Sequence, residues 1–170
     1  AEGAACLARR WSGELRAAKA GRRLWLLPLG LRHNDWERSS LFVLCVDRTA
    51  SRLTVLASGA GLDYHPQRTT SGDTAHLRAA HALTLVDVDV DRLSSPTFLF
   101  TLIRSAVLPS DRHGSPVLYE VFLPHVLSLS PTRHVAVPTD TDFRPVSPTP
   151  GSAAAPLIVA TLDWAARQFG

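Results

Sequence analysis

Leu41-Phe42-Val43-Leu44-Cys45-Val46, a polar break, Leu53-Thr54-Val55-Leu56, and then Ser58-Gly59-Ala60-Gly61-Leu62-Asp63-Tyr64-His65-Pro66 decide the fold class of this chain. The first two runs are short and apolar, which reads as two buried strands of a hairpin joined through Arg48-Thr49-Ala50-Ser51. Both faces of 41–46 are apolar, so that strand belongs in the middle of a sheet. The hairpin delivers a polar loop, hinged by the glycines at 59 and 61, to the sheet edge.

Working outward, Ala4, Leu7, Ala8, Trp11, Leu15 and Ala18 recur at helical spacing, predicting an amphipathic helix over 3–20 that ends at Gly21. Leu24 to Leu29 reads as a first strand, stopped by Pro28 and Gly30, and the polar stretch 31–40 as a loop. Residues 66–80, rich in Thr, Ser and Gly, suit an exposed crossing. From His81 to Val90, Val86, Val88 and Val90 alternate with Asp87, Asp89 and Asp91, the period-two pattern of a strand with one wet face. Ser94-Ser95-Pro96 and Ser115-Pro116 are helix starts, each placing proline in a first turn. Five prolines between 130 and 151 predict an extended strap or linker, and 152–169 a last helix.

These elements predict an α+β fold with a mostly antiparallel sheet of about four to five strands flanked by three to four helices. The organisation expected is an α+β domain at 1–129, the proline-rich strap at 130–151 and a C-terminal helix at 152–170.

Composition narrows the function classes. The 170 residues are 45% hydrophobic, which excludes general disorder, and no apolar run approaches the roughly 20 residues a membrane helix needs. The net charge of +3 is spread along the chain, and only Arg9-Arg10 and Arg22-Arg23 cluster, both flanking a helix. A nucleic-acid binder concentrates basic residues on one face, so nucleic acid is not an expected partner. Cys6 and Cys45 make no disulfide framework, and a reduced, intracellular and cytoplasmic setting is expected. The chain contains no methionine and starts and stops inside helical patterns, which predicts a domain excised from a longer polypeptide.

Chemistry-bearing residues are few. Cys6 stands in the first turn of the first helix, after Gly3-Ala4-Ala5, where a helix N-terminus lowers a thiol pKa. This arrangement, over roughly residues 3–66, resembles that of papain-like cysteine peptidases, including deubiquitinases, with a nucleophile opening a helix and a histidine later on a sheet. Ser58-Gly59-Ala60-Gly61-Leu62-Asp63-Tyr64-His65, with Leu118-Tyr119-Glu120 and Leu123-Pro124, is also similar to a pattern in a poorly characterised group of large proteins. That resemblance implies a histidine at the start of the first hairpin strand and an Asn or Asp near the end of the second. Here the matching places hold Ser39 or Ser40, and Ala57 or Ser58, none of which serves as an imidazole base or orients one.

The resemblance therefore implies a degenerate peptidase-like scaffold acting as a non-catalytic interaction or structural domain, with a protein partner. Its binding elements would be Trp36, Ser58, Gly59, Gly61, Asp63, Tyr64 and His65, together with the acidic row 87–91. The alternative is an active cysteine hydrolase of deubiquitinase type using Cys6 with His33, paired with Asp35, or with His65. Against these stand structural readings: Cys6 as a small buried residue, Cys45 as core packing, His33 as an ordinary loop residue and His65 as part of a turn before Pro66. No cofactor is expected. Asp87, Asp89 and Asp91 lack the glycine and distal glutamate of a calcium loop, and His76, His81, His113, His125 and His134 show no metal-ligand spacing.

Overall fold

The computed structural model describes residues 2–17, 24–31, 40–47, 52–70, 76–107, 116–130, 134–146 and 154–169. His33, Asp35, Trp36, Arg22, Arg23, the hairpin connection 48–51 and His113 lie outside the described residues.

The fold is α+β. Helix α1 (Glu2–Ala17) precedes strands β1 (Leu24–Leu31), β2 (Ser40–Asp47) and β3 (Arg52–Leu56). Strands β4 (Gln67–Thr70), β5 (His76–Ala80) and β6 (Ala82–Leu85) follow, then helices α2 (Val90–Leu93) and α3 (Pro96–Val107). A π-helix (Val117–Val126), strand β7 (Phe143–Pro145) and helix α4 (Ala154–Phe169) follow, and 3-10 turns stand at Gly59–Tyr64 and Asp140–Asp142. Two antiparallel sheets result, one in the order β1-β2-β3-β6 and one in the order β4-β5-β7.

The hairpin read from 41–57 is the centre of the larger sheet. Leu44 pairs with Leu27 on one side and Val55 on the other, and Cys45 stands between Leu26 and Thr54. Leu27, Leu53, Val55, Leu83 and Leu85 turn to one face and are buried with Ala8 and Leu15 of α1 and Phe98, Leu99, Leu102 and Ile103 of α3. On the opposite face Thr54 and Thr84 join their hydroxyls at 3.1 Å, and α4 packs over β2 and β3. The sheet thus lies between two helical layers, which is why every residue of β3 after Arg52 is buried.

Three expectations are corrected. Pro28 does not stop the first strand: β1 runs on to Leu31 as the outer strand of its sheet, the position where a missing backbone N–H is tolerated. The polar stretch 66–80 contains the antiparallel pair β4–β5, held by main-chain bonds although all four β4 side chains face solvent. The alternating run 81–90 is a strand only as far as Leu85. Asp87 takes a left-handed backbone (φ 57°), and Asp89 caps α2 by accepting from the N–H groups of Asp91 and Arg92. The acidic row is therefore a turn and a cap, not a strand face.

Of the two expected helix starts, Pro96 opens α3 and Pro116 directly precedes the second helix, while Ser115 lies outside the described residues. That second helix is a π-helix, in which the Leu127 N–H reaches back five residues to the Phe122 carbonyl at 2.9 Å. Pro124 inside it carries no N–H, and a wide turn accommodates such a break in an α ladder. The widening buries Leu118, Tyr119 and Leu123 and leaves Val121 outside.

Candidate functional site

The backbone around residues 57–66 and 80–82 brings a set of polar side chains to the join between the two sheets. β5 and β6 are one chain kinked at His81, where Ala57 N–H bonds the His81 carbonyl at 3.0 Å. The His81 ring donates from Nδ1 to the Ala57 carbonyl, also at 3.0 Å, so its side chain seals the kink. Ser58 follows in extended conformation, and Gly59–Tyr64 wind into a 3-10 turn that ends at His65.

His65 is 4% exposed. Its Nδ1 lies 2.7 Å from the Ala80 carbonyl, which only accepts, so the proton sits on Nδ1. Nε2 is then an acceptor, and the Tyr119 hydroxyl of the π-helix donates to it at 2.6 Å. Burial pushes the imidazole pKa down from 6.5 to about 4, against the opposing hydrogen bond to Ala80, and neighbouring His81 lowers it further. Burial likewise lowers the His81 pKa and raises that of Tyr119 well above 10. All three groups are neutral near pH 7.

The cluster reaches the surface through Tyr64. Its ring stacks on Tyr119, and its hydroxyl donates to Glu120 Oε1 at 2.9 Å. The Tyr64 pKa is raised, first by desolvation and then by the bond to Glu120. The loop 58–65, polar in sequence, is thus mostly interior: Ser58, Gly61 and His65 are buried, while Asp63 and part of Tyr64 meet solvent.

Cys6 is a free, exposed cysteine, on the side of α1 away from the buried Ala8, Ser12 and Leu15. The structure does not bring it into hydrogen bonding with His65, whose two ring nitrogens are taken by Ala80 and Tyr119. Ser40 opens β2 opposite Leu31, and Ala57 and Ser58 are buried beside the kink. Tyr119, Glu120 and His81 are members of the cluster that no reading of a catalytic pattern selects. What signals two of them is the quoted Leu118-Tyr119-Glu120 segment, which the fold sets directly against Tyr64-His65.

Chemically the cluster is a brace. An imidazole with its lone pair filled by a buried phenol takes no proton from a substrate, and a phenol held neutral by burial is no nucleophile. Among the described residues no three His, Cys, Asp or Glu side chains group to hold a metal ion. Among them, too, no helix is long and apolar enough to cross a membrane. The chain matches no family model, no curated protein and no solved structure.

Proposed function

We propose that this chain is a non-catalytic protein-interaction domain, working in the cytoplasm, where an exposed thiol such as Cys6 stays reduced. The observation that carries the reading is the outer face of α4. Ile158, Val159 and Leu162 are 57%, 59% and 64% exposed, and the spacing i, i+1, i+4 puts them side by side on one helical face. Trp164 of the same helix is buried against the domain, so α4 is anchored on one side and apolar on the other. Adjacent exposed aliphatic side chains on a fixed helix mark a surface that a partner covers. The saturated His65 supports the same reading, since it ties the histidine of the hydrolase alternative into the fold.

The test is a photo-crosslinking amino acid placed at Leu162 in cells, with one at exposed Arg16 as control. Defined adducts from position 162 and not from 16 are expected. Equal yields at both positions, or a ubiquitin-based thiol probe that labels Cys6 and fails on His65→Ala, overturn the proposal.

A further inference from the structure

The chain after the π-helix lies along the outer edge of β6 and then leaves it. Val86 N–H bonds the His134 carbonyl at 2.8 Å, Leu85 faces Val135, and Ala136 N–H bonds the Thr84 carbonyl at 2.9 Å. The same antiparallel register puts Pro138 opposite Ala82. Proline has no N–H, so the next bond, to the Ala82 carbonyl, cannot form. The chain arches away through Val137, Pro138 and Thr139 and the turn Asp140–Asp142, and returns at Phe143, opposite Ala80.

Strand alternation sets what faces the arch. Ala57 N–H bonds the His81 carbonyl, so His81, Leu83 and Leu85 aim their backbone groups at β3. Ala82 and Thr84 aim theirs the other way. Thr84 is met by Ala136, whereas the Ala82 N–H and C=O face the space under the arch. That space is a cavity of ≈ 260 Å³ whose lining includes Ala82, Thr84, Val137, Pro138, Trp164 and Arg167. Its lining is mixed: the Ala136 methyl, the Pro138 ring and the Trp164 indole form the apolar part, and Thr139 and the ion-paired Arg167 and Asp142 form the polar part.

An N–H and a C=O projecting together from one strand residue are complemented by one residue of an extended peptide. The apolar part of that lining suits an apolar side chain, and the volume equals roughly nine waters at about 30 Å³ each. The geometry points to a peptide subsite under this arch: one extended residue with an apolar side chain pairs with the Ala82 backbone and fills the cavity beside Trp164. The inference rests on the interaction-domain reading and adds the chemistry of what is recognised.

The test is a titration of the full ¹⁵N-labelled chain, followed by amide and indole NMR shifts. The probes are N-acetyl-leucine N′-methylamide, its aspartate counterpart, and uracil, a planar molecule with a similar hydrogen-bonding edge. The leucine probe is expected to move Ala82, Thr84 and the Trp164 indole with a midpoint of about 1 mM, and the aspartate probe at least about tenfold more weakly. Ala82→Pro removes the outward donor without removing a β3–β6 bond, and Ala136→Phe fills the cavity from the strap. Either variant that keeps the wild-type core resonances of Leu99 and Leu123 is expected to lose the response.

No shift at these residues, shifts confined to Ile158 and Leu162, a response that survives both folded variants, or stronger binding of uracil than of the leucine probe would each overturn the subsite. If position 162 still crosslinks a partner while the subsite fails, the interaction-domain reading stands without it. If both fail, both fall.

Discussion

Tyr64 and Tyr119 lie ring on ring, their centroids 4.6 Å apart and their planes within 2° of parallel. The first closes the 3-10 turn and the second sits in the π-helix, so the stack joins two elements distant in the chain. Around it, His65 meets the edge of Tyr119 at 5.6 Å between centroids and accepts its hydroxyl proton.

Tyr119→Phe keeps the stack and deletes only the hydroxyl. The buried His65 Nε2 then loses its donor, and leaving such an acceptor unsatisfied costs about 1–3 kcal/mol. Urea unfolding is expected to show that loss. Tyr64→Phe, which removes a solvent-exposed bond to Glu120, should stay within about 0.5 kcal/mol of wild type. Equal costs for the two variants would contradict the brace.

Stability should fall on acidification in a defined window. His65 is neutral when folded, with its pKa at about 4 against 6.5 for the free side chain, so the unfolded chain takes up a proton first. The contribution is complete above about pH 6.5, declines as pH falls, and levels off below about 4. It amounts to about 3 kcal/mol. His81, also lowered by burial, acts in the same direction. Unfolding free energies measured from pH 7.5 to 4 should show a shallower slope for His65→Gln than for wild type.

Asp89 is expected to matter as a cap and not as a metal ligand. Asp89→Ala should destabilise the domain by about 0.5–2 kcal/mol, and Asp89→Asn by much less, because the amide oxygen still accepts from Asp91 and Arg92. Added Ca²⁺ should leave the thermal midpoint of the wild-type chain unchanged.

Cys6 should react with iodoacetamide in the folded protein, as an exposed thiol does. Peptide-level mass spectrometry should give the same alkylation rate in wild type and His65→Gln. A rate that drops in the variant would mean that the imidazole assists the thiol.

Some of this was open to reading from the residues and some was not. The central hairpin is legible because apolar runs such as Leu41–Val46, too short for a helix and bounded by polar breaks, suit a strand paired on both sides. β4 is not, since Gln67–Thr70 buries no side chain and is specified by its main-chain partner. The Asp87–Asp91 alternation imitates a strand, but a left-handed residue and a side-chain cap override the period. The cluster could not be located from local pattern, because His65 and Tyr119 are 54 residues apart and neither sits in a spacing that chemistry requires. Adjacent Tyr-His and Tyr-Glu pairs were the available sign.

Pro28 has an effect outside the folded monomer. β1 is the outermost strand of the β1-β2-β3-β6 ladder, the place where a second molecule would add its own strand and begin a fibre. A ring without a hydrogen to give, set in the middle of Leu24–Leu31, interrupts that template and keeps neighbouring copies from zipping together along it.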